Sequence, residues 1–280
     1  MNELRILIFF LVLCFVHTTA GSGFCAVPGP PAGDVLALAK NNKDATYKQA
    51  LAGGARVEET GDGTSFVVWW NPPGFDPRTG ITFVSLHGHA GWATRDFVVW
   101  QKILRERGYA FLGIQWWYGR SMESIGYAKP RMIYGWVEEA LKRHGVAKGR
   151  VIFAGFSMGS ANSYGVSLFD RLSGASYFAV NIANAGAMES DFPLYRRMFN
   201  GEFGEKPLQD MRWLLYCSLH DQEHAHACEE MAQTKEWLTG FGASVDWFYQ
   251  DPVGNHGGFM APKVHNEALD LAEKILKSKS

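Results

Sequence analysis

Arg150-Val-Ile-Phe-Ala-Gly155-Phe-Ser157-Met-Gly159-Ser-Ala-Asn162 is the stretch whose reading decides the fold. Val151 to Ala154 form a short apolar run of β type, and Gly-Phe-Ser-Met-Gly follows at once, the G-x-S-x-G pattern of a nucleophile elbow. A strand that turns this abruptly into a helix forces its middle residue into a strained backbone conformation. Glycines two positions either side, Gly155 and Gly159, remove side chains that would collide with the neighbouring strand and helix. Ser157 is thereby lifted clear of the sheet. It stands at the start of the following helix, where the Met158 N–H is free to bind a developing negative charge.

Outward from this stretch the chain alternates strand and helix, the pattern that builds a mostly parallel sheet with helices on both faces. Toward the amino end, strands are predicted over residues 81–86 and 109–115 and helices over 95–107 and 130–144. Toward the carboxyl end, strands are predicted over 177–182, 213–219 and 244–249 and helices over 226–239 and 261–277. Residues 56–60 and 64–70, joined by Gly61-Asp62-Gly63, read as a β-hairpin. Before them, Asp34 is placed as the N-cap of a helix running to Gly53-Gly54. Residues 184–212 read as irregular and aromatic, a possible short cap over a site. The expected organisation is a signal peptide at 1–20, a flexible Pro/Gly lead-in at 21–33 and one α/β domain over 34–280.

A serine hydroxyl is a weak nucleophile near neutral pH, so Ser157 needs a base, and the base needs a partner to fix its tautomer. On a hydrolase sheet the order along the chain is Ser, acid, His. Asp221 follows the strand ending at Leu219, and His256 sits in Gly254-Asn-His-Gly-Gly beyond the last strand. Both therefore stand at carboxyl ends of strands, where open α/β sheets bind ligands. Glu223 and Asp251 are rivals for the acid, and His87, His89, His220, His224 and His265 for the base. Order along the chain and the glycine-rich turn favour His256. A second donor for the oxyanion is expected from Leu86-His87-Gly88-His89, through the His89 N–H, with His87 itself a buried residue bonded to backbone. Trp92, Trp117 and Tyr118 fall in loops after strands and are the expected substrate platform.

Together these residues resemble the α/β-hydrolase superfamily from the hairpin to the last helix. The motifs Leu-His87-Gly88-His89, Gly-Phe-Ser157-Met-Gly, Asp221 and Gly-Asn-His256 look most like those of secreted esterases of the polyester-depolymerase and feruloyl-esterase type. The resemblance implies hydrolysis of small or polymeric carboxylic esters through an acyl-enzyme, without a cofactor. The alternatives are a peptidase or thioesterase with the same triad, or a binding protein on a hydrolase scaffold. The acid loop departs from the pattern by reading Ser-Leu-His220-Asp221 without a glycine.

The 280 residues suit one large domain, and a formal charge of −1 dispersed along the chain gives no electrostatic footprint for nucleic acid or an anionic membrane. Arg5, the apolar run Ile6 to Val16 and the small residues up to Ala20 read as a cleavable export signal, with a secreted or periplasmic product. Such a run is too short to span a bilayer, which takes about 20 residues. Cleavage leaves Cys25, Cys217 and Cys228, of which Cys217 and Cys228 flank one strand-to-helix loop and are the expected pair. His220 to Glu229 is dense in potential ligands but matches no closed zinc spacing, so no metal is assigned.

Overall fold

A computed structural model describes residues 29–278 apart from Asp44. The expected signal peptide, most of the lead-in and Cys25 lie outside the described residues.

Eight strands form one sheet: β1 (Arg56–Glu59), β2 (Phe66–Trp70), β3 (Thr82–Leu86), β4 (Ala110–Ile114), β5 (Val151–Phe156), β6 (Phe178–Asn184), β7 (Arg212–Ser218) and β8 (Ser244–Asp251). Their spatial order is β1-β2-β4-β3-β5-β6-β7-β8. The pairs β1/β2 and β2/β4 are antiparallel, and every other pair is parallel. Among the described residues eight α-helices accompany the strands: α1 (Ala32–Lys40), α2 (Thr46–Ala52), α3 (Ala93–Arg107), α4 (Pro130–Arg143), α5 (Met158–Leu172), α6 (Pro193–Phe199), α7 (Ala227–Gly240) and α8 (Pro262–Ser278).

Strands buried on both faces lose the alternation of polar and apolar residues, and β7 shows why. In Trp213-Leu-Leu-Tyr-Cys217, Trp213, Leu215 and Cys217 join a cluster with Tyr164, Tyr195 and Met231. Leu214 and Tyr216 point the other way, into the larger core with Val180, Ile182 and Phe259. Each such side chain contributes about 1.5–3 kcal/mol on burial. α4 begins at Pro130, whose missing N–H costs nothing in a first turn, and ends on Lys142 and Arg143, which suit the negative end of the helix dipole.

Two expectations are corrected. The helix predicted from Asp34 to Gly53 is two helices broken at residues 41–45; Pro31, not Asp34, stands at the N-cap, and Asp34 lies in the first turn. The asparagines at 41 and 42 favour local turns over helix, which the apolar spacing alone did not weigh. The segment 184–212 holds α6, whose Tyr195 and Met198 pack into the smaller cluster. Among the described residues no helix is long and apolar enough to cross a membrane.

Register fixes what the strand ends bring together. Leu86 pairs with Gly155, Phe156 with Asn184, Asn184 with Tyr216 and Ser218 with Asp251. The loops that follow β3, β5, β6, β7 and β8 therefore emerge along one edge.

Candidate active site

Ser157 holds φ +53° and ψ −122°, the one strained residue between β5 and α5. The space for this turn comes from glycine. A Cβ at Gly159 would overlap the carbonyl oxygens of Leu86 and His87, and one at Gly155 would overlap the Gly159 carbonyl. The Ser157 N–H donates to the Asn184 carbonyl at 2.8 Å, tying the elbow to the end of β6.

His256 donates from Nδ1 to Asp221 Oδ2 at 2.7 Å, and both side chains are buried. Asp221 Oδ1 accepts the N–H groups of Glu223 and His224 at 2.9 and 3.1 Å. Burial opposes the charge of Asp221, but the His256 bond and these two amides outweigh it and hold the carboxyl below its usual range. An ionised carboxylate on Nδ1 fixes the tautomer in which Nε2 can accept a proton. Asp251, a rival acid, accepts from the amides of Val253 and Gly254 and from the Tyr216 hydroxyl, so it shapes the turn before His256. A Cβ at Gly258 would overlap that hydroxyl, which explains the glycine two residues past the imidazole. Glu223 is exposed and approaches the other ring nitrogen, its Oε2 lying 3.5 Å from His256 Nε2.

Cys217 and Cys228 form a disulfide across a separation of 11 residues. The bridge closes the loop that carries Asp221, Glu223 and His224, and it holds the Cys228 sulfur in a disulfide, so that it is no thiolate ligand. Within the same loop the His224 ring packs 5.6 Å from that of His256, and His226 pairs with Glu229. No group of three His, Cys, Asp or Glu among the described residues is arranged to hold a metal ion.

On the other side of Ser157, a Cβ at Gly88 would stand 3.3 Å from the Ser157 Cβ, so the turn after β3 runs against the elbow. The amides of His89 and Met158 have no protein acceptor among the described residues and border the same cavity as Ser157. Tyr127 pins this turn, its hydroxyl accepting the Ala90 N–H at 3.1 Å and lying 3.3 Å from His89 Nδ1. His87 is buried with Nδ1 on the Gly88 carbonyl at 2.8 Å, and burial pushes it down to about 4 despite that bond.

No family model matches the sequence, and comparison with curated proteins likewise finds no match. Solved structures do match. An esterase from the fungus Rhizomucor miehei superposes with a TM-score of 0.61 at 14% identity, over 91% of this chain and 100% of the other. A hyperthermophilic esterase from the archaeon Pyrobaculum calidifontis gives 0.59 at 14% identity, over 88% of this chain and 94% of its own. An acylaminoacyl peptidase from Pyrococcus horikoshii gives 0.55 at 16% identity, over 80% of this chain and 41% of that one. The chain has the α/β-hydrolase fold. At these identities the likeness is one of architecture, and the chemistry must be argued from the residues.

In this hydrolase fold Ser157 stands at the junction of two cavities. The smaller, about 370 Å³, is lined by Ser157, His256, Trp92, Trp100 and Phe259, with Asp96 inside it. Asp96 is half-buried, and loss of solvent raises its carboxyl to about 7 although the Ser85 hydroxyl, 2.5 Å away, favours the charge. The larger, about 830 Å³, lies between residues 185–191 and α7 and is bordered by Ser157, Met158, His89 and Glu223. Trp92 thus faces a cavity as expected. Trp117 and Tyr118 do not: Trp117 packs edge-on against Trp92 and donates to the Ser121 carbonyl, and Tyr118 is buried with its N–H on the Gly126 carbonyl. An isolated antiparallel bridge joins Trp117 to Tyr127. The wall at 185–191 falls inside the segment 184–212 that sequence reading marks as a possible cap, although its individual lining residues are not named there. The chain leaves β6 at Asn184-Ala185-Gly186, a sharp exit in which Ala185 takes φ +56°.

Proposed function

We propose that the protein hydrolyses carboxylic esters by way of an acyl-enzyme on Ser157. The observation that carries this reading is the meeting of a strained serine at an elbow with a buried His256–Asp221 pair at the mouth of one cavity. Ser157 Oγ attacks the ester carbonyl and His256 Nε2 takes its proton. The imidazolium formed is stabilised by Asp221 and returns the proton to the departing alcohol oxygen. The amides of Met158 and His89 receive the oxyanion, each such donor contributing about 3–4 kcal/mol. Water then repeats the sequence on the acyl-enzyme, releasing the acid and restoring the serine. Every role falls to a side chain or a backbone amide, so the reading calls for no cofactor. Export after cleavage behind Ala20 belongs to the same proposal and rests on the apolar run Ile6 to Val16.

His256 Nε2 is buried and makes no hydrogen bond here, to Ser157 or to any other described group. Catalytic bonds of this kind are often loose without substrate. The gap favours, as a second reading, a binding protein whose triad is idle. Labelling the folded protein with a fluorophosphonate decides between them: an adduct on Ser157 is expected, and its absence would leave the binding reading. Parallel rates on a p-nitrophenyl ester, a peptide amide and an acyl thioester then fix the acyl group attacked.

A further inference from the structure

We infer that the preferred substrate carries a positive charge on its acyl portion, held by carboxylates of the larger cavity. The inference rests on the ester-hydrolase reading and adds a substrate class to it. That cavity is lined by Glu189, Asp191, Glu223 and Glu230 and by no lysine or arginine. Among the described residues the carboxylates of Glu189, Asp191 and Glu230 have no hydrogen-bond or ion-pair partner, and that of Glu223 reaches only His256, at 3.5 Å. Four carboxylates share one concavity in which the imidazoles of His89 and His224 are the only basic side chains, an arrangement that concentrates cations. Their mutual repulsion shows at Glu189, whose carboxyl is pushed up by burial and then by Asp191 and Glu230, against the opposing pull of His224.

A second observation points to a ligand there. Ser157 is 9% exposed, its hydroxyl has no hydrogen-bond partner among the described residues, and it stands where this cavity meets the smaller one. The reacting carbonyl must come to that hydroxyl, so one arm of the substrate runs along the acidic wall. Trp237 lines the cavity as well, and indole is the aromatic ring that attracts cations most strongly. The acyl arm is assigned by proton transfer. His256 must hand its proton to the leaving oxygen, and it lines the smaller cavity and not the larger. The alcohol arm therefore belongs with the smaller cavity, which Glu223 borders as well, and the acyl arm with Glu189, Asp191 and Glu230.

The test compares the p-nitrophenyl ester of γ-(trimethylammonio)butyrate with its uncharged isostere, in which carbon replaces nitrogen. Each rate is corrected for the ester's own hydroxide hydrolysis. Since the carboxylates are partly solvated, the cationic ester should have a kcat/KM about tenfold higher. The ratio should fall toward one in the double variant Glu189→Gln, Glu230→Gln and as salt is raised. A ratio near one, with the neutral ester still turned over by wild type and not by Ser157→Ala, would overturn the inference and leave the hydrolase reading standing. A ratio that survives in the double variant would also overturn it, as would a preference confined to choline esters over their carbon isosteres. Failure to turn over any of these esters would overturn both readings.

Discussion

The elbow after β5 and the acid loop after β7 hold their functional side chains by different means. The elbow is held by sterics written in adjacent residues: two glycines make room, and a serine bears the strained backbone. The acid loop has no glycine and no strain at Asp221. It is held by a disulfide across its base and by amides that Asp221 itself gathers. Sterics between adjacent residues therefore dictate where the nucleophile stands, whereas the acid is placed by bonds, namely a disulfide, nearby amides and the imidazole of His256.

The comparison can be broken in several ways. Ser157→Ala should lower kcat on a p-nitrophenyl ester by about 10³-fold or more with an unchanged circular dichroism spectrum, because nucleophile, base and acid act as a unit. Retained activity would remove Ser157 from the chemistry. Asp221→Asn should cost nearly as much, about 10³-fold, since the wrong imidazole tautomer would be stabilised. Glu223→Gln should cost far less on a neutral ester, and the reverse ranking would move the acid to Glu223.

Stability sharpens the contrast further. Gly159→Ala should destabilise by about 3 kcal/mol, read as a lower denaturation midpoint, because its methyl group would meet two carbonyl oxygens of backbone that cannot swing aside. Opening the Cys217–Cys228 bridge by the double serine variant should cost about 2–3 kcal/mol for a loop of this length. If the acid loop were instead as self-sufficient as the elbow, that loss would be absent.

The smallest effect lies in acid. Asp221 and Asp251 are both held below the ordinary carboxylate range in the folded chain. A depressed folded value means that the stability these groups supply is complete above the unfolded value of about 4 and is lost as pH falls through the folded one. Asp221→Asn should therefore flatten the decline of unfolding free energy below about pH 4. An unchanged acid limb would mean that the His256 bond adds nothing to the fold.

The parts of the molecule that sequence made legible are those with local causes. The order of strands and helices around β5, the hairpin, the elbow and the pairing of Asp221 with His256 follow from periodicity, glycines and chain order. So does the Cys217–Cys228 pair, whose members flank one loop. What was not legible depends on distant contacts. Trp117 and Tyr118 follow a strand as pocket residues would, yet Trp117 packs on Trp92 and Tyr118 is buried. Glu223 was weighed only as an acid for Nδ1, and its approach to Nε2 follows from where Asp221 pulls the two amides beyond it. The break between α1 and α2 shows asparagines overriding an apolar repeat that would have run on.

The order of the sheet leaves β1 at one rim, and this has a bearing on how the molecule behaves when crowded. An unpaired strand edge is a template on which a second chain can add a strand, and such addition propagates into aggregates. β1 is only four residues long, and three of them, Arg56, Glu58 and Glu59, are charged. Glu58 is also tethered to Arg143 and His144 beside the strand. A newcomer would have to bury or displace these charges for the sake of a very short ladder, so this rim discourages the protein from polymerising on itself.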